Sequence, residues 1–261
     1  MNEPKILISS PIYDKKDYCI KKHLKCIKEI DYNNYEHIIV DNSETEKFYK
    51  ELKSMGVNAY HVDRGGNSRQ GINNSMNFIR EYFMKGDYDY MFVVETDLFP
   101  DKNIIKRLLN HKKAVVGSYY LLGFEKDDKA FEIYTHLFKI GDINRDVWME
   151  CIEGLQFQRA CIFKLDRKDN GNLGTKNISK EESHEYFRTG LRQIHGCGLG
   201  ATLIRRDIIG RFPFWTDSRF NNKHHDVYFY MDLHNAGEKV YVDTDVLIKH
   251  QPSRWHDVED W

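Results

Sequence analysis

The stretch Asp87-Tyr88-Asp89-Tyr90-Met91-Phe92-Val93-Val94-Glu95-Thr96-Asp97-Leu98-Phe99-Pro100 decides how this chain is to be read. The unbroken apolar and aromatic run Tyr90 to Val94 predicts a strand buried on both faces, and it leads directly into two acids, Glu95 and Asp97. Burying a carboxylate costs several kcal/mol, so acids at the end of a core strand require a cation or hydrogen-bond donors. In an open α/β sheet, ligands sit at the carboxyl ends of the strands. Two carboxylates one residue apart can there grip a divalent ion or a metal-bound phosphate. An ordinary strand-to-loop exit has the same pattern, so the motif alone leaves both readings open.

Toward the N-terminus, strand and helix signals alternate. Lys5 to Ser9 predicts a strand, and Ile20, Leu24 and Ile27 then recur at helical spacing. Glu36 to Asp41 predicts a second strand, followed by a helix marked by Phe48, Leu52 and Met55. Val57 to Val62 is a third strand, and after the turn Asp63-Arg64-Gly65-Gly66 a helix carries Ile72, Met76, Ile79 and Phe83 on one face. This alternation predicts an α/β fold, one domain with a mainly parallel central sheet and helices on both faces. Its strand ends, Ser9 to Tyr13, Asp41 to Ser43, Arg64 to Arg69 and Glu95 to Asp97, gather along one rim where a nucleotide can lie. In the turn before the third helix, Gly65 to Arg69 can offer backbone N–H groups and a guanidinium to phosphate, though a glycine pair also serves a plain turn.

Toward the C-terminus the pattern changes. Ala114 to Tyr120 predicts a fifth strand. Residues 121–189 hold shorter β-prone pieces, Phe131 to Ile140 and Gln158 to Leu165, around a polar stretch whose Asp169-Asn170-Gly171-Asn172 reads as a loop or tight hairpin turn. That segment is expected to be an insertion lining the site, and it lies inside the second of two halves, residues 1–110 and 111–261, of one domain. Gly196-Cys197-Gly198-Leu199-Gly200-Ala201 precedes Thr202-Leu203-Ile204 and lets backbone approach a ligand or a neighbouring strand closely. His224-His225-Asp226 opens a helix ended by Gly237, and two closing strands, Lys239 to Asp243 and Val246 to Lys249, deliver His250.

Composition excludes several classes. The 261 residues carry 39 basic and 40 acidic side chains, a net charge of −1, which offers no electrostatic case for nucleic acid or an anionic membrane. No apolar run approaches the roughly 20 residues of a membrane span, and no secretory signal core is present, so a cytoplasmic protein is expected. The 5 cysteines are scattered and form no Cys-x-x-Cys, so neither a zinc site nor a disulfide framework is indicated. The first strand ends in Ser9-Ser10-Pro11-Ile12-Tyr13, which is neither a Gly-x-Gly-x-x-Gly turn nor a lysine-bearing phosphate loop.

Taken in order, the strand ends at Pro11-Ile12-Tyr13 and Val40-Asp41-Asn42-Ser43, the helix opening Arg69-Gln70-Gly71-Ile72, Glu95-Thr96-Asp97, the glycine-rich Gly196 to Arg205, His225-Asp226-Val227-Tyr228-Phe229 and the run Tyr241 to His250 resemble the GT-A-fold, family-2-like glycosyltransferases. The resemblance covers nearly the whole chain. It implies that Asp41 contacts the nucleotide base, that Arg69 lies near the base or the diphosphate, and that Pro11, Tyr13, Thr96, Glu95 and Gly198 line the nucleotide sugar. It further implies that Glu95 and Asp97 stand for the Asp-x-Asp motif, that Asp97 and His250 complete a manganese or magnesium site with Glu95, and that Asp226 is the general base. The chain departs from the family pattern in Asp41-Asn42-Ser43, in a spacing around Arg69 one residue short, and in His225 where an acid precedes the base, so His225 is carried as a second catalytic candidate. A literal Asp-x-Asp, Asp243-Thr244-Asp245, is set aside because no buried strand leads into it in the manner of Tyr90 to Val94.

The implied activity is metal-dependent, inverting transfer from a nucleoside-diphosphate sugar to an acceptor hydroxyl, the acceptor being unspecified. A same-fold sugar-phosphate nucleotidyltransferase and a non-catalytic nucleotide-sugar-binding module are the alternatives.

Overall fold

The computed structural model describes residues 3–122, 159–167, 173–217 and 224–251. Its first half is β1 (Ile6–Ile12), a short 3₁₀ turn (Asp14–Cys19), α1 (Ile20–Lys28), β2 (Tyr35–Asp41), α2 (Lys47–Ser54), β3 (Ala59–His61), α3 (Ser68–Lys85) and β4 (Tyr90–Val94). The four strands run parallel in the order β3-β2-β1-β4. Every residue of β1 is buried, as are Met91 to Val94 of β4, so both faces of the sheet are covered. Each large apolar side chain placed there contributes about 1.5–3 kcal/mol relative to exposure. On α3, the buried Met76, Ile79 and Phe83 follow the helical spacing read from the sequence.

The second half begins with β5 (Leu98–Phe99), α4 (Ile104–Asn110), β6 (Val115–Tyr119) and β7 (Leu121–Leu122). After it come β8 (Arg159–Ala160), β9 (Ile162–Arg167), β10 (Leu173–Asn177), α5 (Lys180–Tyr186), β11 (Leu191–Ile194) and β12 (Gly196–Cys197). The chain closes with β13 (Ala201–Arg205), α6 (Arg206–Arg211), α7 (His225–Asn235), β14 (Val240–Leu247) and β15 (Lys249–His250). The central sheet has the order β11-β14-β6-β13-β4-β1-β2-β3. Its β13 lies antiparallel between β4 and β6, and β11 is antiparallel at the edge, while β14 runs parallel to β6. The sheet is therefore mostly parallel and flanked by helices, as expected.

This order creates the site. The carboxyl ends of β1, β2, β4, β6 and β14 meet on one rim, and reversal of β13 brings its amino end, with the preceding Gly198 to Gly200, to the same rim. Glu95 N–H donates to the Gly200 carbonyl at 2.8 Å, fixing the acid-bearing loop against the glycine segment. The strand β15 pairs with β5 through His250 and Leu98, which carries the histidine beside Asp97.

Three local expectations are corrected. The closing strands are not two separate pieces of the main sheet. Residues Val240 to Leu247 form one bulged strand, with Asp245 N–H turned back onto Asp243 Oδ1 at 2.9 Å, and only Lys249 and His250 leave it to join β5. The polar stretch before Thr189 contains helix α5, whose Ser179 and Glu182 form a reciprocal capping box. The N–H groups at the α3 turn are not offered to an anion, because Asp63 Oδ1 takes Gly65, Gln70 Oε1 takes Gly66, and the Asn67 side chain takes Arg69 and Gln70. The expected strand Phe131 to Ile140 and the turn Asp169 to Asn172 lie outside the described residues. Strands β9 and β10 pair antiparallel on either side of that turn.

Candidate functional site

The acids that follow β4 face different partners. Asp97 is buried, and its Oδ2 lies 2.7 Å from Lys16 Nζ and 3.3 Å from His250 Nε2, while its Oδ1 is buried with no hydrogen-bond partner among the described residues. Glu95 keeps solvent contact, with Oε2 at 3.6 Å from the same Lys16 ammonium. Burial disfavours charge on Asp97, but Lys16 and His250 outweigh it and hold its carboxyl well below the usual carboxylate range. Burial likewise opposes the charge on Lys16 and on His250, and the Asp97 carboxylate raises both pKa values in spite of it. His250 Nδ1 donates to the Leu121 carbonyl at 2.8 Å, which turns Nε2 toward Asp97. The Asp97 carbonyl in turn accepts from Gln251 N–H at 2.8 Å, and the Gln251 carbonyl accepts from Tyr18 at 3.2 Å, so the last strand is tied down on both sides of the histidine.

Two carboxylates and one imidazole are a donor set that suits magnesium or manganese, and the unpartnered Asp97 Oδ1 points to a further ligand. Among the described residues, however, no group of three His, Cys, Asp or Glu side chains is gathered as a ready metal cage. The Lys16 ammonium instead contacts both Glu95 and Asp97. The residues fit a divalent ion in chemistry once that ammonium moves aside.

Asp226 lies in the first turn of α7, and its Oδ1 accepts the N–H of Val227 at 2.8 Å. It is not the N-cap; that position belongs to His224, which makes no side-chain cap. Burial pushes the Asp226 carboxyl up to about 7, against the Val227 N–H and with help from the negative charge of Glu95. His224 shares this environment: desolvation and the charge of Arg69 lower its pKa, while Glu95 opposes them. The charge of Glu95 thus reaches both Asp226 and His224, and that of Arg69 reaches His224. His225 does not join them. Its ring is buried edge-on to Phe214 at 5.9 Å, and burial with the neighbouring His224 drives its pKa down to about 3.

The remaining expected residues are distributed as follows. Asp41 is fully buried at the end of β2. Its Oδ1 accepts from Ser43 N–H at 3.1 Å and Ser43 hydroxyl at 2.5 Å, and its Oδ2 lies 2.8 Å from His61 Nδ1, so both oxygens are engaged within the protein. Pro11 and Thr96 are buried on the rim, and Tyr13 lies half-buried beneath the Arg64 guanidinium at 5.1 Å. Arg64 also donates to the Asn42 carbonyl at 3.2 Å, which leaves Arg69 as the guanidinium of this turn without such a backbone tie among the described residues. A Cβ on Gly198 would lie 2.1 Å from the Tyr120 hydroxyl oxygen, and one on Gly200 2.7 Å from Leu98 and 3.2 Å from the Glu95 carboxyl carbon. The glycines therefore admit Tyr120, whose ring packs edge-on to His250 at 5.8 Å. The carboxylates of Asp243 and Asp245 serve structure: Asp243 pairs with His111 at 2.7 Å, and Asp245 Oδ1 accepts from Gly190 N–H at 3.2 Å.

The fold has a counterpart among solved structures. A mannosyltransferase from Pyrobaculum calidifontis, solved in complex with GDP-Man and Mn2+, aligns over 95% of this chain at a TM-score of 0.55 and 12% sequence identity. The likeness is one of fold, and it assigns the chain a glycosyltransferase-like architecture. The aligned chain spans 57% of that mannosyltransferase. A protein from STIV aligns over 98% of both chains at 13% identity, but its TM-score of 0.42 carries no argument. No protein-family model and no curated protein matches the sequence. Among the described residues no helix is long and apolar enough to cross a membrane.

Lys16, His224 and Tyr120 are the site residues that sequence reasoning missed. Lys16 lies just past the strand exit Ser9 to Tyr13, which carries no lysine-bearing phosphate loop, and only its position in the 3₁₀ turn distinguishes it from Lys15.

Proposed function

We propose that this chain is a glycosyltransferase that moves a sugar from a nucleoside-diphosphate sugar to a hydroxyl acceptor by single displacement. The observation that carries the proposal is Asp226, whose Oδ1 takes the Val227 N–H in the first turn of α7 and whose carboxyl is pushed up to about 7 by burial and by the charge of Glu95 on the loop after β4. A base is most effective when its pKa lies near the working pH, so Asp226 suits the acceptance of a proton from a hydroxyl as that hydroxyl attacks. Arg69 and Lys16 supply positive charge for the diphosphate, and Glu95, Asp97 and His250 would hold a divalent cation. Such a cation neutralises the charge that develops on a leaving diphosphate. Asp41 closes the β2 exit beneath the base, and Pro11, Tyr13, Thr96 and Gly198 complete the nucleotide-sugar side. Inversion at the anomeric carbon follows from attack on the face opposite the leaving group.

The fold relative was solved with GDP-Man and Mn2+, which makes GDP-mannose with manganese the first donor to test here. The test is release of nucleoside diphosphate from a panel of sugar donors, with water or added glycans as acceptor. Turnover of at least one donor is expected. Asp97→Asn is expected to abolish it, whereas Asp245→Asn, whose side chain meets the Gly190 N–H, leaves it nearly unchanged. Donor binding without turnover under any acceptor would favour the non-catalytic module instead, and loss of turnover in Asp245→Asn alone would mean that the wrong acid pair was chosen.

A further inference from the structure

One cationic side chain is placed where the metal reading needs a metal. The Lys16 ammonium lies 2.7 Å from Asp97 Oδ2 and 3.6 Å from Glu95 Oε2, and so touches both acids that would ligate a divalent ion. A second cation could not approach the same two oxygens without lying within about one ionic diameter of that ammonium, where like-charge repulsion is strong. The backbone of Lys16 is fixed: its N–H donates to the Tyr13 carbonyl at 2.9 Å, and its carbonyl accepts from Cys19 Sγ at 3.0 Å. The four-carbon stem is not so fixed, and its side chain retains 22% of its surface in solvent, leaving a way out of the cleft. Asp97 Oδ1, buried and unpartnered, is the ligand atom that the ammonium does not satisfy.

We propose that Lys16 is a tethered counter-ion that occupies the cation position between Glu95 and Asp97, and that a divalent ion binds only by displacing it. The inference rests on the cation-binding reading of these acids and not on the identity of the sugar or acceptor. Lys16 thereby sets the apparent metal affinity. An ammonium that holds the position about 90–99% of the time weakens metal binding by roughly 10- to 100-fold, because only the remaining fraction is competent to bind. Displaced, the ammonium stays within a side-chain length of the acids, in reach of a diphosphate seated on them.

The experiment titrates Mn2+ alone, followed by electron paramagnetic resonance, into the wild-type chain, Lys16→Met and Lys16→Arg, with no nucleotide present. Lys16→Met is expected to bind Mn2+ about 10- to 100-fold more tightly than wild type, and Lys16→Arg, which keeps the charge, to bind it within about threefold of wild type. Should Lys16→Met melt too low to titrate, the same comparison is read as a Mn2+-dependent rise in melting temperature that is larger than that of wild type. Equal Mn2+ affinity in wild type and Lys16→Met overturns the inference, as does an equal gain in Lys16→Arg. Failure of all three proteins to bind Mn2+ at millimolar concentration also overturns it, while leaving sugar transfer to the donor-turnover measurement.

Discussion

Replacing Asp226 by Asn tests the chemistry at its centre. The wild-type carboxyl titrates at about 7, so it is about one-tenth ionised at pH 6 and about nine-tenths at pH 8. If the ionised form accepts the proton, kcat/KM rises by roughly tenfold between those pH values, with an acid limb centred near 7. Asp226→Asn removes the titrating group and the base together. Its rate is expected to fall by about 10²- to 10⁴-fold and its remaining activity to lose the acid limb. Donor affinity is expected to change by less than about tenfold, because Lys16, Arg69, Glu95 and Asp97 are untouched. The amide preserves the hydrogen bond from Val227 N–H, so α7 is expected to stay intact.

The same group leaves a signature in stability that needs no substrate. Folded Asp226 keeps its proton up to about 7, whereas an unfolded aspartate releases it at about 3.9. Between those values the native state binds more protons, so this residue's contribution to stability declines as pH rises from about 4 to about 7. Denaturant melts at pH 5 and pH 8 are expected to show a smaller difference in Asp226→Asn than in wild type. His225 provides the control, since its burial against Phe214 and pKa of about 3 keep it neutral throughout this range, and His225→Gln is expected to keep the acid limb. An acid limb near pH 4 in wild type, or an Asp226→Asn variant that keeps more than about a tenth of the rate, would refute the assignment.

Two further changes separate structure from recognition. Asp41→Ala leaves Ser43 and His61 without their buried acceptor and is expected to cost about 1–3 kcal/mol for each group left unpaired. If Asp41 also reads the base, calorimetry will show nucleoside diphosphate binding weakened while pyrophosphate binding is unchanged; equal weakening of both assigns it to the fold alone. Gly198→Ala sets a methyl 2.1 Å from the Tyr120 hydroxyl and is expected to destabilise by about 1–3 kcal/mol, with much of that loss recovered in Gly198→Ala/Tyr120→Phe. Additive losses in thermal melts of the double variant would show that the hydroxyl is not what the glycine accommodates.

What could be read in the sequence follows how locally each feature is determined. Tyr90 to Val94 was legible as a strand, to the residue, because a segment buried on both faces must be apolar at every position. The span of α7 was legible from its apolar pattern and from Gly237, which adopts φ +76° just past the helix end. Helix α5 was readable in principle from Ser179 and Glu182, but its Lys180-Glu181-Glu182-Ser183-His184 run carries no apolar stripe to reinforce the cap. The internal use of Asp41 was half legible: Ser43 is local, whereas His61 reaches it only because β3 pairs with β2 in a register that sets His61 opposite Asp41.

Lys16 marks where such reading stops. Asp14-Lys15-Lys16-Asp17 is a balanced charge run that composition treats as a solvated loop, and nothing in it favours one lysine over the other. The choice is made by two long-range events. The 3₁₀ turn directs residue 16 back across the rim, and β4 delivers two carboxylates 81 positions farther along the chain to meet it. A buried, multiply paired carboxylate such as Asp97 is costly unless its partners arrive together, so its side chain, with the β5–β15 pairing and the Tyr18 hydroxyl, ties β5, β15 and the 3₁₀ turn into one unit. The same dependence explains the difference between the two Asp-x-Asp motifs. Asp243 and Asp245 find their partners in His111 and in the Gly190 backbone, whereas Asp97 pairs with Lys16 and His250 and keeps Oδ1 buried without a partner among the described residues. A buried acceptor in that state calls for an explanation, and the cation position proposed at Asp97, not at the literal motif, supplies one.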